Sequence, residues 1–178
     1  MAKGKALSPI INMNSYDINI IRSRYALVPR TLIFVQNNEK VLFLEKKQKT
    51  SYGYGKINGL GGHIERGEEP FEAARREIRE EAQIEVTNLE MAAILIIDIN
   101  ETPGILVFIL KADYLLGNIK NSEEGDLIWL SREEISKNKF VIKDVPLLIN
   151  FCDTHKSGCS PRIIKYLYDN YGALRIVI

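Results

Sequence analysis

The 178-residue chain carries 24 lysines and arginines against 23 aspartates and glutamates, with 46% hydrophobic and 26% charged residues. That is enough chain to bury a sizeable core in one domain. A net charge of +1 gives no global field for a nucleic-acid polymer, and no apolar run reaches membrane-spanning length. The opening MAKGK is not followed by a signal-peptide core, so the expected location is the cytoplasm, with Cys152 and Cys159 as reduced thiols. With His155 these cysteines offer three zinc ligands, where structural sites nearly always show four, so no zinc site is expected.

In chain order, residues 1–25 are polar and weakly patterned and read as an N-terminal extension. Residues 26–36 end in a β-branched and aromatic run, a strand, which a turn over 36–40 joins to a second strand at 41–45. Lys46, Lys47 and Lys49 then lead into SYGYGK at 51–56. This is either a solvated linker or a flap offering cations to phosphates and aromatic faces to a base. A helix is predicted from Pro70, which suits the first helical position, to Ala82, with Glu68, Glu69 and Glu72 at the positive end of its dipole. Phe71, Ala74, Ile78 and Ala82 form its apolar stripe. Strands are expected at 92–99 and 105–112 around a turn at 100–104, an irregular connection at 114–122, and a short strand at 126–130. Ser131 and Glu134 form a capping box opening a helix, and a second helix covers 145–151. Residues 162–168 and 173–178 read as a closing hairpin with its turn at 169–172. Strands on both sides of one long helix imply a mixed sheet packed between helices, with 26–178 as one domain.

The chemistry concentrates in GHIERGEEPFEAARREIREEAQI, residues 62–84. Glu77, Glu80 and Glu81 stand at i, i+3 and i+4 on the predicted helix. Their mutual repulsion weakens it unless arginines or a hard divalent cation compensate. Just upstream, Asn58-Gly59-Leu60-Gly61-Gly62 is a glycine-rich turn that lets backbone approach a ligand closely. Taken whole, the stretch resembles the Nudix box. Gly62, Glu68, Arg76, Glu77, Ile78, Glu80, Glu81 and Ile84 fall in register with the family pattern, and Gln83 departs from it where the family has glycine.

The resemblance covers roughly residues 26–151 and implies an α/β/α sandwich with a mixed β-sheet. It also implies hydrolysis of a nucleoside diphosphate linked to another moiety, with Mg²⁺ or Mn²⁺ as cofactor and a small nucleotide as partner. Carried over residue by residue, Glu80 is the leading metal ligand, joined by Glu77, Glu81 and the Gly62 carbonyl. Glu77 or Glu81 supplies the general base, and Arg76 orients the glutamates by pairing with Glu68 or a neighbour. The segment KINGLGG at 56–62 further resembles WNGFGGK of the mammalian oxidised-purine nucleoside triphosphatases. In those enzymes a functional glutamate precedes a tryptophan as Glu124 precedes Trp129. The resemblance thus makes Glu124 a further ligand or base, and it places Asn58, Thr31, Lys46 and Asp144 around the substrate. The expected activity is release of monophosphate and pyrophosphate from an oxidised purine triphosphate such as 8-oxo-dGTP. Alternatives are hydrolysis of ADP-ribose or dinucleoside polyphosphates, or a non-catalytic nucleotide sensor. The protein is expected as a monomer or homodimer acting on neither nucleic-acid polymers nor membranes.

Overall fold

The computed structural model describes residues 24–47, 54–98, 103–121, 124–168 and 173–178. The N-terminal extension up to residue 23, half of the lysine–tyrosine loop, and most of the turns expected at 100–104 and 169–172 lie outside these residues. The described strands are β1 (Leu27–Asn37), β2 (Lys40–Lys46), β3 (Ile57–Asn58), β4 (Ile84–Asp98), β5 (Gly104–Gly117), β6 (Gly125–Ser131), β7 (Arg162–Tyr168) and β8 (Leu174–Val177). The helices are α1 (Pro70–Ala82), α2 (Arg132–Lys137) and α3 (Val145–Thr154). The sheet runs β3-β2-β1-β5-β4-β7-β8, with β6 on β2. It is mixed: β1 pairs β5 and β4 pairs β7 in parallel, while the remaining strand pairs are antiparallel.

The run TLIFV in β1 is apolar on both faces because both are covered. Ile33 and Val35 pack against Ala74, Ile78 and Ala82 of α1, which is the helical stripe expected from the spacing. Phe34 faces the other core, built with Val145, Leu148, Ile149 and Cys152 of α3 and Ile135 of α2. The sheet therefore lies between helices, as expected. Two strands are longer than the sequence suggests. Residues 114–117, read as irregular, continue β5, because Tyr114, Leu116 and Gly117 pair with Val86, Glu85 and Ile84 of β4. The two-residue β3 was not foreseen at all. Among the described residues no helix is long and apolar enough to cross a membrane.

One irregularity positions everything that follows. β1 and β2 pair only at the hairpin end, from Val35↔Leu42 to Asn37↔Lys40. Beyond that point, residues 57–64 fill the edge that each strand would offer the other. Asn58 pairs with Leu44 of β2. On β1, Ile33 and Leu60 exchange N–H···O bonds of 2.8 and 3.0 Å, and the Thr31 and Ile64 N–H groups donate to the Gly62 and Pro29 carbonyls at 2.9 and 3.1 Å. The glycine turn is thus held as though it were a strand, its backbone groups satisfied by β1.

Helix α1 begins where Pro70 predicts, and Glu69 is its N-cap. The Glu69 carboxylate accepts from the Phe71 and Glu72 N–H groups at 3.0 and 2.8 Å, and Glu72 accepts from the Glu69 N–H at 3.1 Å. A reciprocal cap of this kind is worth about 1 kcal/mol. The helix ends at Gln83, whose φ of 55° and ψ of 37° are left-handed. A side chain with a Cβ costs roughly 1 kcal/mol there, and glycine avoids it. Gln83→Gly is therefore expected to raise the melting temperature by about 2–4 °C without altering turnover. A lower melting temperature would contradict this account of the cap.

Candidate active site

Arg76 is the hub of the carboxylates. Its Nε and Nη2 donate to the two oxygens of Glu68 at 2.8 and 3.0 Å, a forked pairing that fixes the guanidinium plane. Nη2 also donates to the His63 carbonyl at 2.9 Å, tying the helix to the glycine turn. Nη1 then reaches Glu77 Oε1 and Glu80 Oε2, each at 3.0 Å. Arg76 thus pairs with Glu68 and with two of the clustered glutamates, the partners the resemblance implies for it. This pairing, more than any other influence, holds the Glu68 carboxyl down to about 2.

The three clustered glutamates do not share one environment. Residues four apart lie closest to one line along a helix, and Glu77 and Glu81 face inward while Glu80 turns out. Glu81 is 2% exposed and Glu77 9% exposed, whereas the Glu80 side chain retains 58% of its accessibility. The inner pair lies directly under the glycine turn. The Gly61 N–H donates to Glu81 Oε2 at 2.8 Å. A Cβ at Gly62 would stand 2.5 Å from Glu77 Oε1, and one at Gly61, where φ is +126°, would stand 2.4 Å from the Thr31 carbonyl oxygen. No residue larger than glycine fits either position without moving the carboxylates or β1.

Burial is the main force on this pair. It pushes the Glu81 carboxyl up from 4.5 to about 8, against the Gly61 bond, with Glu77 and Glu124 adding negative charge and Lys46 opposing them. Glu77 is also raised, chiefly by burial, with Arg76 pulling the other way. Because Glu124 acts on both, its charge stands close to them. The fold thus brings Glu77, Glu81, Glu124, Lys46, Gly62 and Thr31 to one place, with Arg76 and Glu80 on its outer side. Thr31 is 4% exposed and its hydroxyl has no hydrogen-bond partner among the described residues.

Two expected substrate residues sit differently. Asn58 accepts the Gly59 N–H on its side-chain oxygen at 2.9 Å and so braces the turn. Asp144 lies at the N-terminus of α3, where its side chain makes no capping bond; it faces Tyr166 of β7. Trp129 is partly buried against the α1-side core, edge-on to Tyr114 at 5.9 Å. Cys152 is buried, which pushes its thiol up to about 12, and Cys159 is exposed; both are free. The role of the Gly61 N–H was not foreseen, because sequence spacing does not show which backbone groups a turn leaves pointing at a helix.

Among the described residues, no three acidic, imidazole or thiol side chains are arranged to hold a metal ion. The donor set nevertheless suits one. A buried carboxylate pair whose charges repel, beside a glycine carbonyl with a second lone pair, is stabilised by a hard cation.

Residues 26–151 match the family model described as NUDIX domain. A Mus musculus protein named oxidized purine nucleoside triphosphate hydrolase is 31% identical over 143 residues, 76% of this chain and 90% of that protein. A Danio rerio protein of the same name is 32% identical over 123 residues, 67% and 78% of the two chains. The crystal structure of a MutT protein from Bacillus halodurans superposes with a TM-score of 0.63 at 24% identity, covering 84% of this chain and 97% of that one.

The protonation of Glu81 should be visible in the stability of the metal-free protein. Its folded pKa lies above its ordinary value of 4.5, so between the two the native state binds more protons than the unfolded chain. The contribution of Glu81 is therefore fully present below about pH 4.5 and is lost as pH rises toward 8. In EDTA, the melting temperature of wild type minus that of Glu81→Gln should fall between pH 5 and pH 8. A difference that stays flat over this range would refute the assignment.

Proposed function

The chain belongs to the Nudix family, and we propose that it is a divalent-metal-dependent hydrolase that cleaves purine nucleoside triphosphates to monophosphate and pyrophosphate, with oxidised purines such as 8-oxo-dGTP preferred. The observation that carries this reading is the arrangement of Glu77 and Glu81 beneath Gly61 and Gly62 with Arg76 behind them. The name shared by the two vertebrate relatives supports the substrate class.

The residues that would hold the cation, Mg²⁺ or Mn²⁺, are Glu77, Glu80, Glu81 and the Gly62 carbonyl. When bound, it supplies positive charge against the phosphate oxygens that otherwise repel an attacking water. The protein's own part is positional. Arg76 holds Glu77 and Glu80 in reach of each other, and the Gly61 N–H fixes one oxygen of Glu81. The carboxylates Glu77, Glu81 and Glu124 form the group that accepts the proton of the attacking water as the new P–O bond forms and the bridging P–O bond breaks. Lys46 brings a cation to the same place for the departing pyrophosphate. Thr31, whose buried hydroxyl has no hydrogen-bond partner among the described residues, is joined to the turn through its N–H on the Gly62 carbonyl. Asn58 has its oxygen committed to Gly59 and offers its amide nitrogen to a base.

A phosphate-release screen over nucleotides with Mg²⁺ and Mn²⁺ tests this. We expect 8-oxo-dGTP to exceed dGTP in kcat/KM by tenfold to a hundredfold, about what one well-placed polar contact supplies. Preference for ADP-ribose over both triphosphates would overturn the substrate assignment. Glu80→Gln should lower kcat by about a hundredfold or more with an unchanged melting curve, and chelation by EDTA should abolish turnover. Activity within tenfold of wild type, or full activity in EDTA, would remove Glu80 from the metal site.

A further inference from the structure

Glu124 stands where strand alternation would not put it. Along β6, Leu127 and Trp129 pack toward the α1-side core, while Ile128 and Leu130 pack toward the α3-side core. Strict alternation would group Glu124 with Ile128 and Leu130, away from α1. Its charge is nevertheless felt by Glu77 and Glu81 of α1. The chain bends at Glu124, immediately before β6 begins.

Gly125 permits that bend. It pairs with Lys46 of β2, and a Cβ there would lie 2.1 Å from the Glu45 carbonyl oxygen and 2.9 Å from its carbonyl carbon. These are backbone atoms and cannot swing aside. Lys46 is fastened from its other edge, where its N–H donates to the Lys56 carbonyl at 3.0 Å and its carbonyl accepts the Gly55 N–H at 2.9 Å. Any side chain at position 125 would therefore push β6 off β2 and carry Glu124 with it. Lys47 grips the residues on either side of this glycine. Its N–H donates to the Glu124 carbonyl at 3.0 Å, and its ammonium group pairs with the Asp126 carboxylate.

We propose that Gly125 is a positioning residue: with the two Lys47 contacts, it fixes the Glu124 carboxylate beside Glu77 and Glu81. The place of a carboxylate on a bend is set by backbone, and a misplacement of about 1 Å can cost about a hundredfold in rate. An ion pair as exposed as Lys47 with Asp126 contributes less, so the glycine carries most of the placement. The inference rests on the hydrolase reading above, in which Glu124 belongs to the group that accepts the proton.

The test is a double-mutant cycle, which separates an effect exerted through Glu124 from a general loss of structure. It measures kcat and KM for 8-oxo-dGTP, and Mn²⁺ affinity by paramagnetic resonance, on wild type, Gly125→Ala, Glu124→Gln and the double variant. Gly125→Ala should lower kcat by about tenfold to a hundredfold, with KM little changed and circular dichroism unaltered. It should have no further effect once Glu124 is replaced. Asp126→Asn, a substitution at the surface, should lower kcat by about two- to fivefold in the wild-type background only. Exchanging the charges, Lys47→Asp with Asp126→Lys, should restore it. If Gly125→Ala does not fold, the same cycle with Asp126→Asn decides, and equal effects in both backgrounds would overturn the inference. It also fails if Glu124→Gln or a folded Gly125→Ala keeps kcat within twofold of wild type, or if Gly125→Ala costs as much with Glu124 replaced as with it present. Should wild type hydrolyse no triphosphate, the hydrolase reading fails by itself. Weaker Mn²⁺ binding in Gly125→Ala, absent when Glu124 is replaced, would still uphold the placement, and equal binding or equal weakening in both backgrounds would overturn it.

Discussion

The site depends on the backbone of residues 57–64 lying between β1 and β2. A hairpin as strongly apolar as β1–β2 would ordinarily pair along its whole length, and here it pairs at one end only. The freed edge of β1 accepts Leu60 and Gly62 instead, which puts Gly61 and Gly62 at a fixed height above α1. Glycine is required there for two reasons. Gly61 adopts a φ of +126°, and the space a Cβ would take at Gly62 is already held by the Glu77 carboxylate. Backbone and carboxylates are thus in contact because no side chain intervenes.

The second constraint is electrostatic. Carboxylates three and four residues apart repel, and two of these are buried. A single arginine cannot neutralise them all: Arg76 gives its fork to Glu68 and shares one nitrogen between Glu77 and Glu80. Glu81 is left to the Gly61 N–H, and burial, with the charges of Glu77 and Glu124, pushes its carboxyl up to about 8. The metal-free protein is therefore under-compensated at the point where a cation would bind. Exposed ion pairs elsewhere, such as Arg79 with Glu85, contribute little by comparison.

Much of this was legible in the sequence, because it follows from spacing. The eight-residue separation of Glu68 and Arg76, the stripe of Phe71, Ala74, Ile78 and Ala82, and the helix bounds from Pro70 to Ala82 all follow from helical period and capping chemistry. The capping box at Ser131 and Glu134 reads the same way. What could not be read was contact between distant segments. Spacing grouped Glu77, Glu80 and Glu81 as equals, and only the packing of α1 on the sheet separates two buried carboxylates from one exposed one. β3 is two residues long beside a glycine turn and carries no periodic signal. The far end of β5 looked irregular because its pairing to β4 crosses bulges at Glu85/Val86 and Thr87/Glu90.

The central claim is that close approach of the glycine backbone to Glu77 and Glu81 builds the cation site. It is tested most directly by titrating Mn²⁺ into Gly62→Ala, following the bound ion by paramagnetic resonance. The added Cβ would displace the Glu77 carboxylate while leaving every metal-ligating side chain chemically intact. The account predicts Mn²⁺ affinity weaker by about tenfold to a hundredfold, the range typical when groups supporting metal ligands are disturbed, in a protein that remains folded by circular dichroism. Wild-type affinity in folded Gly62→Ala would contradict it.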